Sequence, residues 1–453
     1  MAEHALLESV NTSEPTPARP IHWTFWKRVT FRFVFSYFML YALCSGNATV
    51  WGVIPQIGDA IENGLSWPFI HAAEWLAQHW LHVLGLAGKI HNSGSGDRLL
   101  DWLSLGVMLA VALTACLVWT LLDRRRRQYQ TLFAWFRFTL RLTLGVAMFN
   151  YGLAKLFPLQ MSPPSLAVLN EPFGNISPMT LLWTMIGMNP LYEMVCGAAE
   201  IAGGLLILFR RTALLGALLT AFVVTNVVLY NFFFDVPVKI YAAHLLLMSL
   251  VIVTPDLQAL VDFFWRHTPS APSGIWVPPA SRKRFRVATI GIEGFFLFMC
   301  AVVAPFTYYK SYTAQRASAL RPSPLTGHWH VDSIMLTSDG KPAPYLTGDG
   351  LPATDIFLEP FGRTMIRASD NALWRSSAKY DSTKRTFVLS SNGHAGSITY
   401  AVLQADSAHL LLTPTGKEEK TEAVLRLTRV PLPATYPLLT RGFHFVNEWG
   451  LER

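Results

Sequence analysis

The chain has 453 residues, 51% hydrophobic and only 15% charged, a balance too apolar for a water-soluble protein of this length and one that points to several membrane-spanning helices. A formal net charge of +8 does not indicate nucleic acid, because the Lys and Arg cluster at the ends of apolar runs, where retention of positive charge on the cytoplasmic side accounts for them. Four cysteines, Cys44, Cys116, Cys196 and Cys300, lie inside apolar runs without CxxC spacing, which argues against a thiol redox pair or a disulfide framework and for small core residues.

Residues 1–29 read as a cytoplasmic tail. Up to Pro20 they lack the basic and apolar regions of a cleavable signal, so the first span is expected to direct insertion. Crossing about 30 Å of hydrocarbon takes roughly 20 residues. Runs of that order lie near 31–53, 103–122, 132–156, 180–209, 212–234, 237–254 and 286–306, giving a transmembrane domain over 30–306. Lys27, Arg28 and Arg32 precede the first run, Arg124 to Arg127 follow the second, Arg210 and Arg211 follow the fourth, and Arg282 to Arg286 precede the seventh. All fall on one side if the N-terminus is cytoplasmic, which puts the C-terminal region outside.

Between the first two runs, His71, Glu74, Gln78 and His82 recur opposite Trp67, Phe69, Ile70 and Leu81, so Ser66–Leu86 is expected to be an amphipathic helix on the outer membrane surface. His71, Gln78 and His82 share a face that could ligate metal, although wet surface histidines are the commoner case. The segment 91–97 reads as an exterior Gly-Ser turn in which Asp97 caps the second span, and not as a phosphate loop, since no Lys-Ser/Thr pair follows. The outer loop 158–178, rich in Pro, Asn and Ser, is expected to be ordered only by packing on the bundle. Asp235-Val236-Pro237-Val238-Lys239 is too short for anything but a hairpin, with Asp235 and Lys239 at the outer interface.

After a linker, 307–324, the pattern changes. Eight alternating segments separated by Asp-Gly, Gly-Asp-Gly, Asp-Ser and Asn-Gly turns lie within 325–453: 328–336, 354–358, 364–368, 373–379, 386–390, 397–403, 409–413 and 423–427. They predict an antiparallel barrel or sandwich outside the membrane. The aromatic stretch 439–448 is expected to pack against the barrel mouth or the membrane face.

Charges at hydrocarbon depth are costly and mark either pairing or function. Arg137, Arg141, Met148 and Lys155 share one helical face, and Glu193, Gly197, Glu200 and Gly204 another. Counting at about 1.5 Å per residue puts Arg141, Glu200 and His244 near one depth, so an Arg141–Glu200 contact with His244 close by is expected. Tyr151 adds a phenol, Asn226 and Asn231 add amides, and Glu293 a further carboxylate. The pair serves either as a structural ion pair or, with His244, as a proton relay around an anionic or quinoid oxygen.

These residues carry a resemblance. An Arg-bearing helix running into Tyr151-Gly152-Leu153-Ala154-Lys155-Leu156, then Glu200-Ile201-Ala202-Gly203-Gly204-Leu205-Leu206-Ile207 before Arg210-Arg211-Thr212, then Lys239 opening the last helix, resembles the DoxX and DoxD-like membrane proteins over 132–256. The resemblance implies a four-helix core; this chain departs from the small members by adding three spans and an exterior barrel, and the expected location is a bacterial cytoplasmic (inner) membrane with the C-terminal domain periplasmic or extracellular. The resemblance also implies association with membrane redox chemistry, in some members as the quinone-linked subunit of a thiosulfate-oxidising system; the absence of a cysteine pair at the outer face counts against direct sulfur chemistry. Separately, Gly327-His328-Trp329 opening the strand region resembles the Gly-x-Trp closure of lipocalin-type barrels.

The expected architecture is thus an α-helical polytopic bundle of about seven spans plus an exterior antiparallel β-barrel. Two functions stay open: a redox- or quinone-associated membrane subunit with a membrane redox partner, or a membrane-anchored binding or scaffold protein whose barrel holds a small apolar ligand or a partner protein. No nucleophile elbow, Walker loop or structural zinc pattern is present.

Overall fold

The computed structural model describes residues 22–45, 51, 54, 57–82, 96–270, 283–320, 323–336, 352–359, 363–391, 397–415 and 423–440. The Gly-Ser segment 91–95, Arg282 at the start of the last basic run and all of the closing stretch beyond Thr440 lie outside them. Thirteen helices and eight strands are described, and the chain divides into two compact units.

Unit 1 comprises Met1–Val146, Ile207–Ala221 and Pro237–Glu293. Within it, α1 (Phe25–Cys44) packs on α3 (Leu99–Leu122), and α2 (Ile57–His79) packs on α3 as well. The expected amphipathic helix therefore begins nine residues before Ser66 and stops short of Leu86, continuing through Pro68. Arg32, on the first apolar run, is buried: its guanidinium donates to the Tyr129 hydroxyl (3.0 and 2.7 Å), the Thr120 hydroxyl (3.0 Å) and the Asp123 carbonyl (2.7 Å). A guanidinium has five N–H donors and no acceptor, so burial is tolerated only where oxygens surround it in this way.

Asp97 does not cap α3. Its carboxylate accepts the N–H of Lys239 and, at 2.9 Å, that of Ile240, capping α9 (Lys239–Val253) instead. The start of α3 is closed by Asp101, which accepts the Arg98 N–H at 2.9 Å and pairs with its side chain at 3.0 Å.

Among the described residues six helices are long and apolar enough to cross a membrane: Leu99–Leu122, Gln130–Leu156, Pro190–Leu208, Ala213–Phe233, Lys239–Phe264 and Phe285–Ala317. The remaining expected span is α1, present as a 20-residue helix with Lys27, Arg28 and Arg32 in its opening turns. The run 180–209 is two helices, α6 (Pro178–Gly187) and α7 (Pro190–Leu208), because Asn189-Pro190 interrupts the backbone ladder. The last span is continuous through a π-helical segment, Met299–Val303, between α11 (Lys283–Phe298) and α12 (Ala304–Ala319).

Unit 2 comprises Ala147–Leu206, Phe222–Val236 and Gly294–Arg453. Its β domain is a closed up-and-down barrel: β1 (Gly327–Leu336), β2 (Ala353–Leu358), β3 (Arg363–Ala368), β4 (Leu373–Asp381), β5 (Thr386–Ser391), β6 (Ser397–Ala405), β7 (His409–Pro414) and β8 (Ala423–Val430), each antiparallel to the next, with β8 returning to β1. All eight expected strands are present, and closure decides between barrel and sandwich by removing the unpaired edges a sandwich keeps. Alternate residues point inward as the strand period requires. Trp329, Ile356, Ile366, Phe387, Leu389, Tyr400, Val402, Leu412, Leu425 and Leu427 are among the side chains of one buried apolar cluster.

Within the barrel Trp329 is fully buried, gives its indole N–H to the Leu325 carbonyl (2.8 Å) and lies under the Arg429 guanidinium, 4.4 Å from ring centre. Gly327 has φ 148°, and a Cβ there would come within 2.9 Å of Arg429 Nη1. Only glycine suits both demands.

Candidate functional site

Of the residues expected to group, Arg141 and His244 belong to unit 1 and Glu200 to unit 2, and each has partners within its own unit. In unit 1, Arg141 Nε donates to the Ile207 carbonyl (2.9 Å) and Nη2 to the Leu208 carbonyl (2.6 Å), and the side chain faces Glu293 at 3.5 Å. Arg137, one turn earlier on α4 (Gln130–Leu156), donates to the Ile252 carbonyl (2.7 Å) and pairs with Asp256 (3.3 Å), both side chains being at most 2% exposed. Ile207 and Leu208 end α7, and Ile252 lies at the end of α9, so the two arginines meet carbonyls at the C-terminal ends of two helices. The carbonyls of Ile207 and Leu208 are among the last of α7, where intrahelical donors run out, and Ile252 lies where α9 passes into a 3-10 turn; a guanidinium is a favourable donor to such carbonyls where water is excluded. Asp256 was missed because it follows Pro255, beyond the apolar run, where the pattern reads as a loop.

His244 is engaged at both ring nitrogens. Nδ1 lies 2.6 Å from the Ile240 carbonyl and Nε2 2.7 Å from the Tyr37 hydroxyl, while the Tyr41 ring stacks on it at 3.7 Å between centres. A carbonyl can only accept, so Nδ1 carries a hydrogen, while Nε2 shares the Tyr37 hydroxyl, which can donate or accept.

In unit 2, Glu200 belongs to Lys155. The ammonium lies 2.6 Å from Oε1 and 2.7 Å from Oε2, both residues being buried, and it also sits 5.6 Å from the centre of the Tyr151 ring. The pair forms where α4 and α7 cross most closely. A Cβ on Gly152 would lie 2.8 Å from the Gly197 carbonyl, and one on Gly197 would lie 2.5 Å from the Gly152 carbonyl. Small residues at such a crossing let backbones touch in a membrane, and here they bring Lys155 within reach of Glu200.

Glu193, about two turns before Glu200 on α7, is fully buried. Its Oε1 accepts the Met161 N–H at 2.9 Å, the Gln160 backbone N–H also lies against the carboxylate, and Oε2 makes no well-aligned hydrogen bond. Asn226 turns back on its own helix, donating to the Phe222 carbonyl at 3.2 Å. Asn231 is buried, and Asp235 takes a left-handed backbone conformation, φ 51°, in the tight hairpin. Lys239 opens α9, with its N–H on Asp97.

A second polar group, which sequence reasoning did not single out, fastens the loop 158–178 to the barrel. This loop is not ordered by bundle packing alone: it carries α5 (Leu166–Leu169), and barrel residues meet both of its ends. The Glu359 carboxylate lies against the backbone N–H groups of Ala167 and Leu166 at the helix start; burial pushes its pKa up, and those N–H groups partly offset the rise. At the other end Arg367 pairs with Glu171 at 2.7 Å and donates to the Asn170 carbonyl at 3.3 Å, while Asn170 Nδ2 donates to the Tyr436 hydroxyl at 3.0 Å. A carboxylate thus meets unpaired N–H groups at the start of this one-turn helix and a guanidinium a carbonyl at its end.

Arg367 also lies over Phe357, 5.1 Å from ring centre, and His328 stacks on the same ring at 4.3 Å. Asp355, bonded to His328 Nε2 at 2.8 Å, completes the outer wall of β1 and β2. Burial alone would raise the pKa of Asp355, but hydrogen bonds from His328, Thr354 and His330 outweigh it and bring the value down to about 2.

A bundle of membrane-length apolar helices joined to a closed eight-strand barrel defines an integral membrane protein with an appended β-barrel domain. It is 32% identical over 135 residues to the uncharacterized protein YwoB of Bacillus subtilis (strain 168), a match covering 28% of this chain and 80% of that protein, and it belongs to that family. No protein-family model and no solved structure matches the chain.

Proposed function

We propose that this protein is a membrane-anchored binding or scaffold protein of a bacterial cytoplasmic membrane that presents its β-barrel outside for a partner protein. The observation that carries this reading is the attachment of α5 at both of its ends to the barrel, through Glu359 and through Arg367. A loop joining two apolar helices is thereby held to the barrel wall, which suits presentation in a set pose better than a tethered, freely turning domain. The ion pairs in the bundle fit a structural role, since Arg137 and Arg141 meet helix-end carbonyls and His244 has both nitrogens occupied. The N-terminus is cytoplasmic in this reading, on the strength of the basic clusters, and the bacterial relative suits the assignment to an inner membrane.

The Gly327-His328-Trp329 motif supports a lipocalin-like ancestry, but the apolar cluster inside favours the outer wall over the lumen as the binding surface. Native mass spectrometry of the full-length protein from its own membranes tests this. The expected result is a partner protein lost on charge reversal at exposed barrel residues. A small apolar molecule retained in the barrel, whose removal lowers thermal stability, would overturn it.

A second, DoxX-like reading, in which the bundle associates with a quinone or another membrane redox partner, is favoured by one observation: the Lys155–Glu200 pair beside Tyr151, buried within the segment that carries the resemblance. Quinone reduction in membranes carrying Glu200→Gln should then fall; unchanged reduction removes this reading.

A further inference from the structure

The buried polar group around Lys155 does not balance its charges. One ammonium faces two carboxylates: Lys155 gives its hydrogens to both oxygens of Glu200, while Glu193, on the same face of α7, is fully buried and has Oε2 without a well-aligned hydrogen bond. Other titratable groups recorded around these residues are Tyr151 on α4, Tyr192 and Cys196 on α7, and Tyr308 on α12. None of them brings a second positive charge. A lone ionised carboxylate excluded from water is far costlier than a neutral one, and such groups ordinarily take up a proton instead.

A second orphan lies close by in the chain. Gln160 Oε1 is buried and also without a partner, and Gln160 directly precedes Met161, whose N–H is bound to Glu193 Oε1. A buried carboxylate oxygen without a donor is satisfied if it carries a proton, which turns it into a donor, and Gln160 Oε1 is a buried acceptor on the segment bound to Glu193.

We infer that Glu193 is a proton-loading site, holding an exchangeable proton on Oε2 beside the Lys155–Glu200 pair, with Gln160 Oε1 as the neighbouring acceptor. Uptake adds one proton from solvent to the carboxylate and changes the charge of the group from −1 to zero; no bond is otherwise broken and nothing is oxidised or reduced. The site is independent of both functional readings above, since neither presentation of the barrel nor quinone association is needed to neutralise Glu193.

Difference infrared spectroscopy of the full-length protein in detergent, between neutral and alkaline buffer, tests the inference. The wild-type protein should show the carbonyl band of a protonated carboxylic acid that is lost on alkalinisation, and Glu193→Gln should lack it. Glutamine is the isostere of a neutral acid, so this variant is expected to melt within a few degrees of wild type. Should it fail to accumulate, Gln160→Leu provides a second route, because removing the acceptor should shift the band. A spectrum with no band that depends on Glu193 or Gln160 overturns the proposal. So does a melting temperature that rises when choline is replaced by sodium at constant ionic strength in wild type but not in Glu193→Gln, which would place a metal cation where the proton is inferred.

Discussion

Glu200 is 4% exposed and Lys155 6%, and both carboxylate oxygens take their hydrogen bonds from the one ammonium. Replacing Lys155 by Met should leave a buried carboxylate with no cation, and replacing Glu200 by Met should leave a buried ammonium with no anion. Removing one partner of such a pair costs about 3–5 kcal/mol, whereas replacing both by apolar side chains of similar volume is often close to neutral. At about 1.4 kcal/mol per factor of ten, each single variant should raise the unfolded fraction at least a hundredfold. The double variant should return most of that loss, giving a coupling energy of about 6 kcal/mol, close to the two single losses together. Unfolding of the purified protein by titration with SDS measures all four corners of the cycle. Additive losses, with the double variant as unstable as the sum of the singles, would refute the pairing and with it the close crossing at Gly152 and Gly197.

Two further outcomes follow from the barrel side. Arg367→Ala removes the ion pair to Glu171, the hydrogen bond to the Asn170 carbonyl and the contact with Phe357, so limited proteolysis should cut within 158–178 several-fold faster than in wild type; the swap Arg367→Glu with Glu171→Arg should recover part of the protection, and unchanged cleavage of Arg367→Ala would remove the attachment from the account. Asp355 has a folded-state pKa near 2, below its ordinary value of 3.8. A depressed carboxylate stabilises above its unfolded pKa and loses that contribution as pH falls toward the folded one, so barrel stability should decline between about pH 4 and pH 2, and Asp355→Asn should flatten the decline in a thermal melt read by tryptophan fluorescence.

Local pattern was enough for much of the architecture. Period-two alternation broken by Asp-Gly and Asn-Gly turns placed all eight strands, because strand faces and hairpin turns are properties of a few consecutive residues. Run lengths of apolar residues placed the spans for the same reason, but not their ends: α1 is Phe25–Cys44 where 31–53 was expected, α12 continues to Ala319, into the expected linker, and Asn189-Pro190 breaks the run 180–209. The sequence also marked Arg137, Arg141, Lys155, Glu193, Glu200 and His244 as inward-looking polar groups.

Which of these groups meet was beyond it. Counting residues gives depth, one coordinate of three, and by depth alone Arg141, Glu200 and His244 belong together. Depth does not give azimuth or helix ends, and these set the partners seen within unit 1: Arg141 and Arg137 reach backbone carbonyls of Ile207, Leu208 and Ile252. Likewise Lys155 reaches Glu200, 45 residues on, because two glycines let α4 and α7 touch. The attachment of α5 joins Glu171 to Arg367 across 196 positions, through the folded barrel wall. The chain by itself therefore determined its elements and the polar residues worth watching. Only the tertiary structure assigned their partners, since an ion pair or a cap depends on distances between segments that local sequence does not encode.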